Sequence, residues 1–271
     1  VINTPIERLL HLAGISRIVA SGCMCTTLAA SPDNRMSTET SGLQPQKRAL
    51  GYWVTAFIFG NLASLTVFVA LEPDASTDSV VRTSTMAASA FCMWAVFCVV
   101  AQRFCTANNT TLRDGFGLSI TKRDWLVGIP IGLASQFVLV NVVTWPFAQL
   151  FPDAFSFDEV SRRATELTDQ AQGLWIVVLV LVVVVGAPIA EEILYRGVLQ
   201  NGATALLGVM PGLVTTAAIF ALVHFSPVEI PGLFAFALVL GLLRKNSGRL
   251  GLPIVTHMAF NVAGLLLVAL V

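Results

Sequence analysis

Six polar residues in the apolar C-terminal half of this 271-residue sequence have types and spacing suited to catalysis. A charged group inside a segment that crosses a membrane is costly, so each such residue is a candidate for function. Together they offer a carboxylate that can act as a general base for water, imidazoles that can hold or transfer a proton, and an amide that can stabilise an oxyanion. The pattern therefore indicates hydrolytic chemistry. The six residues are Glu191, Glu192, Arg196, His224, His257 and Asn261.

Helical spacing divides the roles of the two glutamates. Residues four apart share a face of an α-helix, so Glu192 and Arg196 are predicted to form an ion pair, while Glu191 is turned by about 100° and points elsewhere. His257 and Asn261 share a face in the same way. Taken singly, such residues are more often structural, because a glutamate pair can mark the end of a span and a histidine can be a hydrogen-bonded packing residue.

The segments that carry these groups are predicted to bring them to a similar depth. If one helix continues to Leu207 and the chain turns between Gly208 and Gly212, Glu191 and His224 each lie about 22 to 24 Å from that turn, and antiparallel packing places them side by side. His257 lies about 8 Å from the start of its own apolar segment. All three groups are therefore expected in the cytoplasmic third of the membrane.

The composition excludes a water-soluble enzyme. Hydrophobic residues make up 55% of the chain and charged residues 12%, far from the composition of soluble domains. Sixteen basic residues balance sixteen acidic ones, so no basic field suggests a nucleic acid as a partner. The five cysteines form no pair with the spacing of a metal or redox site. We predict an all-α, polytopic membrane helix bundle whose first partner is the lipid bilayer.

Seven apolar runs define the predicted transmembrane segments, which enclose a cavity in the C-terminal half. A span needs about 20 helical residues. The two runs at 211–225 and 231–243 are short, so they are predicted to be tilted or to form a re-entrant hairpin that lines the cavity. The runs are 50–71, 83–101, 125–145, 173–190 with a helical continuation, 211–225, 231–243 and 252–271.

The distribution of basic residues predicts the orientation. Three of them, Arg82, Arg162 and Arg163, fall in loops on one side, where the loops are otherwise acidic and where 157–171 has the spacing of a surface helix. Nine fall on the other side, which the positive-inside rule assigns to the cytoplasm. The site is therefore predicted to face the cytoplasm. The nine are Lys47, Arg48, Arg103, Arg113, Lys122, Arg123, Arg244, Lys245 and Arg249.

Three short motifs resemble those of a known family. EEILYR at 191–196, FALVH at 220–224 and HMAFN at 257–261 are similar to the motifs EExxxR, FxxxH and HxxxN of the CAAX protease and bacteriocin-processing family of intramembrane endopeptidases, which includes the type II CAAX prenyl endopeptidases. Each motif alone is weak, but the set is specific in this order on three apolar helices. The resemblance covers about residues 125–271.

The resemblance implies a role for each candidate residue. Glu191 would activate the attacking water with His224, Glu192 and Arg196 would support the site, and His257 and Asn261 would stabilise the tetrahedral oxyanion. The implied substrate is a membrane-associated or C-terminal peptide, or a lipidated protein. The implied location is a bacterial plasma membrane.

The resemblance and the charge pattern together divide the chain into parts. The weak apolar patch at 18–30 is too interrupted for a signal peptide or a span. Met36 opens a polar stretch typical of a cytoplasmic start, so residues 1–35 are interpreted as an upstream extension or part of a disordered tail. The predicted parts are a polar, disordered tail at 1–47, two helices at 48–124 that are not diagnostic, and the peptidase region at 125–271.

The same residues permit two forms of hydrolysis. Zinc or another divalent metal can be bound by Glu191, His224 and His257 with water in the fourth position. Without metal, Glu191 must itself be the base, with His224 sharing the proton. We favour absent or weakly held metal, because the sequence shows no carboxylate that would orient either imidazole, Glu229 being the nearest candidate.

Two other functions use the same residues. A proton- or ion-coupled transporter can use Glu191, His224 and His257 as a relay, but transporters usually show paired repeats with interrupted helices in both halves, whereas here the polar groups lie in the C-terminal half. A scaffold or immunity protein can bind a peptide without cutting it. In that case the base and the oxyanion donors would have no purpose, so the peptidase is preferred.

Overall fold

The structure is a computed structural model that describes residues 33–74, 81–155, 171 and 173–269. All regular secondary structure in these ranges is helical, which confirms the all-α prediction. Residues 1–32 and nearly all of the predicted surface helix at 157–171 lie outside the described residues.

The N-terminal helices come first in the chain. Helix α1 begins within the segment predicted to be a polar tail, and the chain divides into two compact units, Val1–Thr40 and Ser41–Val271. All packing described below lies in the second unit. The helices are α1 (Asp33–Leu71), α2 (Thr83–Ala107), α3 (Leu112–Phe116), α4 (Lys122–Ala134), the π-helix π1 (Ser135–Leu139) and α5 (Val140–Leu150).

The C-terminal helices carry the candidate site. A single helical stretch from Leu174 to Leu207 alternates between α- and π-geometry, and three α-helices follow it. Their bounds are α6 (Leu174–Val180), π2 (Leu181–Gly186), α7 (Ala187–Glu191), π3 (Glu192–Leu199), α8 (Gln200–Leu207), α9 (Val209–Leu222), α10 (Ile230–Ser247) and α11 (Gly251–Ala269).

The helices are long and apolar enough for an integral membrane protein, as predicted. Within the described residues, five stretches meet the length and hydropathy of a membrane span. Helix α10 is one of them, although its apolar run was predicted to be short. The apolar helices Val209–Leu222 and Gly251–Leu267 are shorter. The five spans are Arg48–Leu71, Thr83–Ala107, Lys122–Leu150, Leu174–Leu207 and Ile230–Ser247.

The turn between α8 and α9 consists of one residue. Helix α8 ends at Leu207, as predicted, and Gly208 has a φ of 89°, a conformation that glycine adopts without steric cost. The predicted turn extended to Gly212, but Gly212 lies inside α9, where a Cβ atom would overlap the backbone of Thr204. The two helices therefore pack antiparallel with their backbones in close contact.

Two hydrogen bonds set the direction of α10. Arg196 Nη2 donates to the Ala237 carbonyl at 3.4 Å, and Gln200 Nε2 donates to the Gly241 carbonyl at 3.1 Å. Both pairs are 41 residues apart. From the first bond to the second, the residue number rises by four on both helices, as it does when two helices run parallel. Helix α10 therefore runs parallel to the π3–α8 stretch.

Helix α11 is held against α4 at two levels. A Cβ atom at Gly132 would overlap the Thr256 carbonyl oxygen, so the two backbones approach closely beside His257. At the start of α4, the buried carboxylate of Asp124 pairs with Arg249, just before α11. These contacts fix the position of the helix that carries His257 and Asn261.

Contacts bring the basic loops to one end of the bundle. The Leu250 amide donates to the Gly117 carbonyl at 3.1 Å, which joins the loop before α11 to the loop before α4. Phe104, near the end of α2, contacts Tyr52 near the start of the α1 span at 5.4 Å between ring centroids, and Phe116 at 6.0 Å. The loops predicted to be cytoplasmic therefore lie at the same end.

Candidate active site

The six candidate residues lie on helices of the C-terminal half. Glu191 ends α7, Glu192 and Arg196 lie in π3, and His224 lies two residues beyond the end of α9. The remaining two, His257 and Asn261, lie in α11. Helical spacing predicted an α-helix through the glutamates, but the structure has π-helices on both sides of α7. Such segments occur often at functional sites.

The predicted ion pair between Glu192 and Arg196 is present. Arg196 Nη1 lies 3.0 Å from Glu192 Oε1, and both side chains are fully buried. Arg196 also donates to the Ala237 carbonyl, and its Cζ atom lies 4.4 Å from the centre of the Phe220 ring. A carboxylate, a carbonyl and an aromatic face thus compensate the buried guanidinium.

Glu192 also contacts His257, which the sequence pattern did not predict. His257 Nδ1 lies 3.0 Å from Glu192 Oε1. The carboxylate is paired with Arg196 and can only accept, so Nδ1 is the donor. The expectation that no carboxylate orients an imidazole was therefore wrong. Glu192 does so for His257 across 65 residues of sequence.

Glu191 lies on the other side of the same imidazole. Its Oε2 atom is 3.8 Å from His257 Nε2, and its side chain is 20% exposed, whereas that of Glu192 is 0% exposed. As predicted, the two neighbouring glutamates point in different directions. One carboxylate is buried in an ion pair, and the other reaches a position that is open enough for water.

His224 is held by a hydrogen bond to the last turn of α9. Its Nδ1 atom lies 2.7 Å from the Phe220 carbonyl oxygen, which can only accept, so Nδ1 carries a proton. In the neutral ring, Nε2 is then the nitrogen that can take up a proton. The chain turns directly afterwards, where Phe225 has a φ of 52°.

Phe220 connects the parts of the site, a role that the sequence did not assign. Its ring centroid lies 4.9 Å from that of His224, 6.0 Å from that of His257 and 5.1 Å from that of Tyr195. The ring also receives the Arg196 guanidinium. Phe220 is the first residue of the FALVH motif, and this position is the sequence feature that could have indicated its role in the site.

Phe236 and Gln200 are further neighbours that sequence reasoning missed. The Phe236 ring meets His257 edge to face at 5.4 Å and stacks on Phe260 at 3.8 Å. Gln200 is buried one turn beyond Arg196 and bonds to α10. Neither residue belongs to a motif of reactive side chains, so only the packing of α10 reveals them.

Asn261 is tied to the helix that carries the glutamates. Its Nδ2 atom donates to the Val183 carbonyl at 2.7 Å. In π2 the Ala187 amide bonds to Val182 instead, and Pro188 has no N–H to offer. Asn261 therefore satisfies a carbonyl that lacks its usual helical donors, and it does so with one of its two amide hydrogens.

The model of a known protein family matches this part of the chain. Residues 173–263 match the family described as type II CAAX prenyl endopeptidase Rce1-like. The match supports the resemblance to the CAAX protease and bacteriocin-processing family that the three motifs predict. The match includes all six candidate residues. No curated protein and no solved structure matches the chain.

Metal binding by the segment that matches the family stays a prediction. Among the residues that the structure describes, no three His, Cys, Asp or Glu side chains are grouped so that they can hold a metal ion. Glu191 and His257 are neighbours, and His224 joins them through Phe220. The ligand set of Glu191, His224 and His257 stays a prediction, and the chemistry below uses only the side chains themselves.

Proposed function

We propose that the chain is an intramembrane endopeptidase in which Glu191 activates water. One arrangement carries this proposal: a partly exposed carboxylate lies 3.8 Å from an imidazole whose other nitrogen is held by a buried carboxylate. General bases need access to water and a fixed geometry, and this arrangement supplies both. The Rce1-like match at 173–263 points to a membrane endopeptidase.

The proposed reaction begins when Glu191 takes a proton from a water molecule, whose oxygen attacks the peptide carbonyl carbon. The carbonyl oxygen becomes an oxyanion. The second amide hydrogen of Asn261 and a protonated Nε2 of His257 stabilise it. The C–N bond then breaks, and the amine leaves with the proton that Glu191 took from the water, either directly from Glu191 or after transfer through His224 Nε2. Glu192 keeps the His257 ring in place and does not itself react.

We propose a peptide or lipidated protein at the membrane as the substrate. The site lies among apolar helices, so a substrate must be anchored in or near the bilayer. The family whose model matches residues 173–263 is described as one of prenyl endopeptidases. A quenched fluorescent peptide with a farnesylated cysteine and its unmodified counterpart are therefore the two probes. Faster cleavage of the farnesylated peptide is expected if a lipid tail directs the substrate to the site.

The decisive test is Glu191→Gln, which preserves size and removes the base. Cleavage of the fluorescent peptide by purified protein should fall by about 10² or more, while thermal stability stays at the wild-type value. Asp153→Asn, which changes an exposed carboxylate outside the site, is the matched control. Cleavage by Glu191→Gln at the wild-type rate would refute the proposal. The transporter would be favoured instead if wild-type proteoliposomes took up protons, Glu191→Gln abolished this uptake, and neither protein cleaved the peptide.

We also propose that the site opens to the cytoplasm of a bacterial plasma membrane. Support comes from the clustering of the basic loops at one end of the bundle. In a background without the native cysteines, a cysteine at Asn246 should react only with membrane-permeant thiol reagents in intact cells. A cysteine at Asp74 should also react with impermeant ones. Labelling of position 246 by an impermeant reagent would reverse the orientation.

A further inference from the structure

A cleft lies between α1 and α2, separate from the candidate active site. Its volume is about 430 Å³. Two arginines and four residues with largely apolar surfaces line it: Arg48, Gly51, Tyr52, Thr55, Val100 and Arg103. The Rce1-like match begins only at residue 173, so it does not include this cleft.

The two arginines lie near the ends of two candidate membrane spans. Arg48 is the first residue of the first span, and Arg103 lies in the last two turns of α2. Both side chains are exposed, and neither has a carboxylate partner among the residues that the structure describes. Two exposed guanidinium groups that line one cleft therefore form a site for an anion.

The deeper part of the cleft is suited to hydrocarbon. Thr55 is seven residues from Arg48, which is about 10 Å along the helix, and its hydroxyl bonds to the Gly51 carbonyl within α1. The Tyr52 ring is fixed by its contact with Phe104 at 5.4 Å. A Cβ atom at Gly51 would meet nothing within 4 Å, so this glycine leaves space open.

We propose that this cleft binds an anionic phospholipid. The phosphate would lie between Arg48 and Arg103, and the upper part of an acyl chain would lie over Gly51 and along Val100. Basic pockets between membrane helices are suited to anionic headgroups. A soluble phosphate would leave the apolar part unused, and a zwitterionic lipid would gain less from the two positive charges. Exposed apolar side chains on α1, such as Ile58 and Phe59, give lipid direct access to this side of the bundle.

The test measures lipid that remains bound to the purified full-length protein. Protein in mild detergent is titrated with dioleoylphosphatidylglycerol, with dioleoylphosphatidylcholine or with inorganic phosphate, and bound lipid is measured by native mass spectrometry. The double variant Arg48→Gln/Arg103→Gln should weaken phosphatidylglycerol binding by about tenfold or more. Arg113→Gln/Arg123→Gln removes the same charge from exposed residues outside the cleft. It should retain wild-type binding.

A second pair of variants tests the apolar part without changing charge. Gly51→Leu should fill the cleft and reduce phosphatidylglycerol binding, whereas Gly51→Ala adds one methyl group to open space and should retain most of it. If the arginine variants fail to fold, this pair of glycine variants still tests whether the cleft binds phosphatidylglycerol. Equal binding of the two lipids, full competition by inorganic phosphate, or wild-type binding by Gly51→Leu would overturn the proposal. Lipid retention does not depend on peptide cleavage, so failure of the proposed peptidase would leave this test intact.

Discussion

Glu192 and Asp124 are the two acidic side chains that are almost completely buried among the described residues, with relative exposures of 0% and 1%. Each is paired with an arginine. The Arg196 side chain is also fully buried, whereas that of Arg249 is 26% exposed. In each carboxylate, one oxygen accepts all the hydrogen bonds, and the other has no partner among the described residues.

The other donors distinguish the two carboxylates. Asp124 Oδ2 accepts from the backbone amide and the hydroxyl of Thr121, at 2.7 and 2.9 Å, so it closes the first turn of α4. Glu192 Oε1 accepts from the His257 imidazole, whose other nitrogen lies 3.8 Å from the proposed base Glu191. The same kind of buried pair therefore stabilises a helix start in one place and orients a reactive ring in the other. The identity of the donor, more than the depth of burial, distinguishes the carboxylate that belongs to the proposed site.

The largest expected effect on stability comes from Glu192→Gln. Removal of this charge leaves Arg196 buried without its carboxylate, which typically costs about 3 to 5 kcal/mol. Unfolding in mixed detergent micelles, followed by circular dichroism, measures the loss against Glu191→Gln, which should unfold like the wild type. Full stability of both variants, with equal loss of cleavage, would contradict the division between a supporting and a reacting glutamate.

Asn261→Ala should have the next largest effect, and it should act on turnover. Removal of one oxyanion donor typically costs about 10² to 10³ in kcat. The variant also loses the hydrogen bond to the Val183 carbonyl, so a smaller loss of stability is expected. Steady-state kinetics with the fluorescent peptide separate the two constants. A large rise in KM with unchanged kcat would place Asn261 in substrate binding instead.

Asp124→Asn should destabilise the protein less than Glu192→Gln. An asparagine can still accept from Thr121, and the partly exposed Arg249 can turn to solvent, so a cost of about 1 to 2 kcal/mol is expected. High salt should narrow the difference from the wild type, because it screens the Arg249 pair. The Glu192→Gln deficit should not change with salt. Equal salt dependence in both variants would remove the distinction between the two carboxylates.

Phe236→Leu should have the smallest effect of the four. The change removes the edge-to-face contact with His257 and the stacking on Phe260, and keeps most of the apolar volume. A loss of about 1 kcal/mol in stability and a modest decrease in kcat are expected. Wild-type kinetics would show that Glu192 alone is enough to orient the imidazole.

Local contacts of the site could be predicted because they depend on short spacing. The Glu192–Arg196 pair is one helical turn apart, and it forms even though the segment adopts π-geometry. The end of α8 at Leu207 followed from the glycine after it. The contact between Glu192 and His257 was missed, because no periodic pattern relates residues 65 positions apart.

By itself, the sequence determined the class of the molecule, the positions of most spans and the candidate residues for the chemistry. Membrane segments need long apolar runs, and polar residues inside them are costly enough to stand out. Only the tertiary structure decided which carboxylate touches which imidazole and that Asn261 bonds to Val183. Those choices depend on how helices cross: glycines such as Gly132 permit close approach, and Pro188 leaves a carbonyl for a side chain to satisfy. Such crossings arise from packing among helices that are distant in sequence.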